Sequence, residues 1–259
     1  MSRKTAAAVQ SNRGIEMAYR KALNSILSEM IDSYKWWVAA EYKKSPPLLA
    51  AIAVDALPIS AMRKKLEQLG EQWRWRFESS AEKIAELYAK RSYRYSDAAL
   101  KKSLKDAGWS VKFDITRAMR ESLDATISEN VSLIQSIPMQ FHQKIEGAVM
   151  RSYALGGDLQ QLESELRGIY AGAGNRVKLI ASDQIKKANS VATRARQLEL
   201  GITEAVWIHS HAGKEPRQSH AAAHGEIYKI AEGCKIDGEY IQPAQLINCR
   251  CMAKPIIPF

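Results

Sequence analysis

Cysteine is scarce in this sequence. There are three, Cys234, Cys249 and Cys251, in a chain of 259 residues. So few, and an odd number, exclude a disulfide framework and fit synthesis in a reducing compartment. Long apolar runs are missing too. No stretch of about 18 uncharged apolar residues exists, so no membrane-spanning helix is expected. Residues 1–14 carry positive charge without an apolar core, so they do not read as a secretory leader. Neither G-x-G-x-x-G nor G-x4-G-K-[ST] is present, and nucleotide binding is not signalled. Histidine is nearly as rare as cysteine. Four of the five, His209, His211, His220 and His224, lie with all three cysteines from residue 209 onward.

Positive charge, by contrast, is in excess and unevenly placed. Residues 1–112 hold 21 Lys and Arg against 12 Asp and Glu, while residues 113–259 hold 17 against 16. Nearly all of the formal +10 therefore belongs to the first part. A polyanion partner is one reading and a solvated helical surface is the other. Arg63, Lys64, Lys65, Arg74, Arg76, Lys101 and Lys102 are the nucleic-acid candidates. The hydrophobic fraction of 46% is enough for a core.

Helical periodicity dominates the first two hundred residues. Ile15, Tyr19, Leu23, Ile26, Leu27, Met30, Tyr34 and Trp37 predict a helix over about 11–44, ended by Pro46-Pro47. The apolar segment 48–60 follows and reads as a buried hairpin. Met62, Leu66, Leu69, Trp73, Phe77 and Ile84 predict a second helix over about 60–92. In its WRWRF stretch, Trp73 and Phe77 fall on the core stripe and Trp75 falls off it. A break at 108–116 precedes a helix N-capped by Asp114 and running to about Asn130. Pro138 is expected to open the next, which ends at Gly156-Gly157. Asp158 caps a short helix over 159–169, and the glycines of AGAGN mark a further break. The clearest helix spans 175–200. Its apolar face includes Val177, Ile180, Ile185, Ala188 and Ala192, and Arg176, Lys178, Lys186, Lys187, Arg194 and Arg196 decorate the remainder. Gly201 stops it.

Beyond Gly201 the pattern turns to short strands, at EAVWIHS, GEIYKIAEG and EYIQPA, punctuated by glycine and proline. The expected fold class is α+β. A basic, mainly helical part covers residues 1–150, and a small, loop-rich α+β domain covers 151–259. So small an end region needs a staple. Thiolate and imidazole are preferred zinc ligands, and His220, Cys234, Cys249 and Cys251 are the candidate set for a structural zinc. The C-x-C spacing is tighter than the usual C-x2-C, and buried thiols serving as small core fillers are the alternative. The HAAAH run, 220–224, lacks the glutamate of the H-E-x-x-H helix. Cys249 with His220 could act as nucleophile and base, but no third orienting group stands at an informative spacing. No catalytic residue is assigned, and the protein is not expected to be an enzyme.

The ordered set RVKLIASDQIKKAN, RQLELGI, Trp207 on a strand, Arg217-x-x-His220, Gly225, Tyr228 and the closing Asn248-Cys249-Arg250-Cys251 resembles a known family. It is similar to the C-terminal domain, here about residues 150–253, of phage minor head proteins. That group is typified by the F protein of phage Mu and the head morphogenesis protein of phage SPP1. Family members often carry D-x-R-x-R where this sequence has Gly213 and Glu215, and Asp or Asn where it has His224. The resemblance implies a virion component made in the host cytoplasm, inside the capsid near the portal, acting in head assembly and in DNA packaging or delivery. It implies portal protein or major capsid protein, and phage DNA, as partners, and no membrane. The competing readings are a DNA-binding module working through the basic helical part and, more distantly, a Cys/His hydrolase or transferase.

Overall fold

The computed structural model describes residues 3–47, 57–114, 116–211 and 215–259. The proposed hairpin at 48–60 therefore lies outside the described residues as far as residue 56. Among the described residues, no helix is long and apolar enough to cross a membrane. Four long helices come first: α1 (Arg13–Lys44), α2 (Leu57–Asp106), α3 (Arg117–Ala154) and α4 (Leu159–Glu199). Then follow β1 (Glu204–Ile208), α5 (Gln218–Ala222), β2 (Ile227–Lys229), β3 (Cys234–Ile236), β4 (Glu239–Ile241) and β5 (Met252–Pro255). A mainly helical first part with a small α+β end is the architecture the sequence implied.

Two breaks expected from sequence are not breaks. Pro138 sits inside α3 rather than at a helix start. Proline removes one backbone donor and crowds the preceding turn, a cost of about 3 kcal/mol. Ile134, Ile137, Phe141 and Ile145 bury one stripe on both sides of it, and at roughly 1.5–3 kcal/mol per buried side chain they outweigh that cost. Likewise Gly172 and Gly174 lie within the continuous α4. Each glycine costs about 1 kcal/mol against alanine, too little to open a helix anchored on both sides. The α3 start is also corrected. Met119 N donates to Thr116 Oγ1 at 3.3 Å, so Thr116 and not Asp114 is the capping side chain. Asp158 does cap α4, accepting from Gln161 N at 2.8 Å.

The stops are sharper. At the end of α4, Gly201 N donates to Leu198 O at 3.0 Å and Ile202 N to Gln197 O at 2.9 Å. Gly201 takes φ 72°, a left-handed conformation that glycine adopts without the Cβ clash. Ile202, fully buried, completes the motif. The same paired bonds close α2 at Gly108 and α3 at Gly156.

The chain condenses into two compact units, and neither follows the expected division at residue 150, which falls inside α3. One unit comprises Tyr19–Ile84 and Asn130–Ile180. Among its described residues the regular elements are all helices, with Leu23, Met30, Tyr34, Leu66, Phe77 and Ile134 among the fully buried side chains. Tyr34 Oη meets His142 Nδ1 at 2.9 Å, and burial pushes the Tyr34 hydroxyl well above its ordinary range. Trp73 and Phe77 are buried here and Trp75 is exposed, as their stripe positions required.

The other unit comprises Met1–Ala18, Ala85–Glu129 and Ala181–Phe259. Its sheet has the order β2-β1-β5, antiparallel throughout, with Ala205 opposite Tyr228 and Trp207 opposite Ala253. β3 and β4 form a separate hairpin, with Ile236 opposite Glu239 across Asp237-Gly238. Both turn residues have positive φ, 52° and 85°, the backbone of a two-residue hairpin turn. The N-terminal residues form an arm beside β5. Thr5 bridges Ile256, Ala6 N donates to Pro255 O at 3.1 Å, and Ile257 N donates to Lys4 O at 2.9 Å. Ala6 and Val9 from this arm and Leu100 and Leu104 from α2 share one apolar core with Trp207, Tyr228, Cys249 and Cys251. The end region is thus not self-contained. Sixty residues cannot enclose enough apolar surface alone, and distant segments complete the core.

Candidate metal centre

The CxC stretch is set in place by backbone bonds from outside it. Asp183, on α4, accepts the amide of Asn248 at 2.9 Å. Arg217 Nη2 donates to Ile247 O at 3.0 Å, and Ser190 Oγ donates to Pro243 O at 2.6 Å. Cys249 N donates to Leu246 O at 2.9 Å, closing a turn in which Asn248 holds φ 63°. Asparagine is among the few non-glycine residues that tolerate that conformation. Burial raises the Asp183 carboxyl, an effect opposed by the hydrogen bond from Asn248 and by Lys187 and Lys186.

His220 is delivered by α5, and Trp207 positions that short helix. The Trp207 indole N–H donates to His220 O at 3.2 Å, and the two rings meet edge to face with centroids 5.5 Å apart. Trp207 also packs on Tyr228 at 6.1 Å. Gly225, at φ 92°, donates its N–H to Trp207 O at 2.9 Å, turning the chain from α5 into β2.

These supports converge on one point. His220 Nδ1 lies 3.6 Å from Cys249 Sγ and 3.6 Å from Cys251 Sγ. All three donor atoms fall within 4.8 Å of one another and all three residues are buried. His220 Nε2 is buried without a partner among the described residues. The hydrogen bond between the two sulfurs holds the Cys249 thiol below its ordinary range. The same contact, with burial, pushes the Cys251 thiol up. Two sulfurs and an imidazole nitrogen are a donor set suited to a soft or borderline cation.

Cys234, the fourth residue of the expected ligand set, does not join this cluster. It sits on β3 in the apolar core near Tyr228, and burial raises its thiol. It is a core filler there. Three other histidines, His209, His211 and His224, form a second group. His209 Nδ1 is 3.3 Å from His211 Nδ1, His211 N donates to His209 Nδ1 at 3.2 Å, and His209 N donates to His224 Nδ1 at 3.1 Å. Burial, then His211 and His220, lowers the His209 imidazole. A cleft of about 360 Å³, lined by His209, Glu215, Arg217, His220, Cys249 and Cys251 among others, leads to the three donors.

Sequence reading missed Asp183 and Ser190, which hold the CxC loop. Both lie within the clearest helical pattern of the chain, and nothing local distinguishes a helix-face carboxylate that accepts a remote amide. None of the polycationic candidates lines the cleft or belongs to the three-donor cluster. Arg63, Lys64, Arg74, Arg76, Lys101 and Lys102 are exposed. Lys65 stands over the Trp37 ring at 3.7 Å and Arg76 pairs with Glu29 at 3.7 Å. The first five candidates belong to the helical unit and Lys101 and Lys102 to the other.

Comparison with known proteins bears on the same region. Residues 143–254 match the family model described as Phage Mu protein F like protein. A protein of Haemophilus influenzae described as uncharacterized is 26% identical over 255 residues, which takes in 96% of this chain and 55% of the relative. The chain thus spans just over half the length of that relative. No solved structure matches. Trp207, Arg217, His220, Gly225, Asn248, Cys249, Arg250 and Cys251 all fall inside the matched region, and it is this part of the chain, residues 143–254, that is similar to the Phage Mu protein F like family.

Proposed function

We propose that this protein is a minor head component of a tailed phage, acting in head assembly and in DNA packaging or delivery near the portal. The similarity of residues 143–254 to the Phage Mu protein F like family supports the reading at its coarse level, that of a phage head-related protein. What the matching residues do supports the finer one. Trp207 and Arg217 donate side-chain hydrogen bonds to main-chain carbonyls, and Gly225 and Asn248 donate from their main-chain amides. They fix the relative placement of loops, as a docking surface requires. The partners on this reading are portal protein, major capsid protein and packaged DNA, and the location is the capsid interior. The test is purification of heads with and without this chain, followed by quantitation against the portal. A few copies per head are expected, with assembly or packaging defects in its absence. Failure to associate with portal or capsid protein removes the reading.

Direct contact with DNA through the basic helical segments is a second role, favoured by the exposed cations listed above. It predicts binding that weakens steeply with salt, with a log–log slope near −0.9 per neutralised duplex phosphate. Replacing Arg63, Lys64 and Arg74 by glutamine should reduce that slope. A slope unchanged by the triple substitution rules the helical surface out.

A further inference from the structure

We infer that His220 Nδ1, Cys249 Sγ and Cys251 Sγ bind one zinc ion, with the fourth coordination position open to the cleft at His209 and Glu215. The inference rests on the donor geometry alone and stands or falls independently of any role in the phage head.

Zinc–sulfur bonds of about 2.3 Å and zinc–nitrogen bonds of about 2.05 Å, at the tetrahedral angle, place sulfur and nitrogen about 3.6 Å apart and two sulfurs about 3.8 Å apart. Both sulfur–nitrogen separations here are 3.6 Å. The three donors together stay within 4.8 Å. Hydrogen bonding does not account for this arrangement. A neutral imidazole nitrogen offers one in-plane lone pair, so it accepts one thiol proton well and two poorly. Two sulfurs equidistant from one nitrogen are what a shared cation requires.

The surroundings agree. Coordination through Nδ1 fixes the imidazole proton on Nε2, the nitrogen that is buried without a partner among the described residues. The cluster also joins residues 29 and 31 apart in sequence, tying α5 to the loop before β5. Among the described residues no fourth His, Cys, Asp or Glu atom falls within the same radius. The cleft of about 360 Å³ therefore supplies the fourth ligand as solvent or as an exchangeable group. Zinc takes thiolate rather than thiol, so binding releases protons to solvent and affinity rises with pH.

The experiment uses the full chain, purified without an affinity tag or chelator. Metal analysis should return one zinc per chain. Replacement by cobalt(II) should give thiolate-to-cobalt charge-transfer absorption in the near ultraviolet and intense tetrahedral d–d bands. Added imidazole should shift those bands, because the fourth position is open. C234S should keep the metal and the bands, whereas C249S, C251S and H220A should lose at least tenfold in occupancy. Should those three variants fail to fold, wild-type protein titrated with p-hydroxymercuribenzoate must release its zinc as two thiols react. The inference is overturned by metal-free protein that gives no cobalt bands. It is equally overturned by zinc retained in the C249S/C251S variant, or by release unconnected with thiol modification.

Discussion

Arg196 offers the sharpest quantitative test of how this fold is held. Its side chain is 4% exposed, and its guanidinium forks onto Asp97 through bonds of 2.9 and 2.8 Å. It also donates to Glu199 at 2.8 Å and to the Asp114 carbonyl, and it stands over the Phe113 ring at 4.8 Å. The Asp97 hydrogen bonds, ahead of the opposing effect of burial, raise its proton affinity further. Consider Arg196→Met, which keeps the apolar stem and removes the charge. Breaking a buried ion pair from one side costs about 3–5 kcal/mol. Asp97 and Glu199 side chains are 29% and 27% exposed and can partly rehydrate, which argues for the lower end. Loss of ring stacking adds about 0.5–1 kcal/mol. A loss of about 3 kcal/mol is expected. With a urea slope of about 3 kcal/mol per molar for a chain of this size, the midpoint should fall by about 1 M. Equilibrium unfolding followed by circular dichroism measures it, and 0.5 M salt should leave the difference intact because the pair is sheltered from screening. A double-mutant cycle with Asp97→Asn should return a coupling of at least about 1.5 kcal/mol. Additivity within about 0.5 kcal/mol, or a midpoint shift under about 0.2 M, would refute the reasoning.

Three further outcomes are expected. Asp183→Asn keeps an oxygen for the Asn248 amide but removes a charge that burial disfavours. The wild-type carboxyl is raised above 3.8 in the folded state, so its contribution is fully present below that pH and is lost as pH rises through the folded value. The amide variant should therefore gain on wild type between about pH 4 and 7 and lose its advantage in more acid solution, as thermal melts across pH would record. Gly201→Ala and Gly172→Ala should act with opposite sign. A methyl group meets nothing within 4 Å at either position, but only Gly201 has positive φ. A loss of about 1 kcal/mol at Gly201 and a gain of up to about 1 kcal/mol at Gly172 are expected, and equal signs would contradict the assigned backbone. Removal of residues 1–9 strips the arm beside β5 and the Val9 carbonyl from Asn189 Nδ2, a bond of 3.0 Å. Hydrogen exchange should then accelerate at Ala253–Ile257, while an unchanged profile would show the arm to be dispensable.

The sequence by itself determined the elements whose signals are local. The stripe from Tyr19 to Trp37 marked α1, the Asp158 and Gly201 termini bounded α4, and the β-branched and aromatic content of EAVWI marked β1, because each depends on residues close together in sequence. It also marked His220, Cys249 and Cys251 as a group through their rarity and ordered spacing. Tertiary structure alone decided the rest. Pro138 and Gly172 stay inside helices because burial on either side outweighs their local cost. Arg196 points inward because Asp97 and Glu199 meet it there, and Cys234 leaves the ligand set because β3 turns it into the core. Segments from both ends of the chain share one core with α2, a pairing over some 250 residues that no local pattern encodes. Local preference fixes which segments are helix or strand, while the need to bury apolar surface and satisfy charge fixes which segments meet.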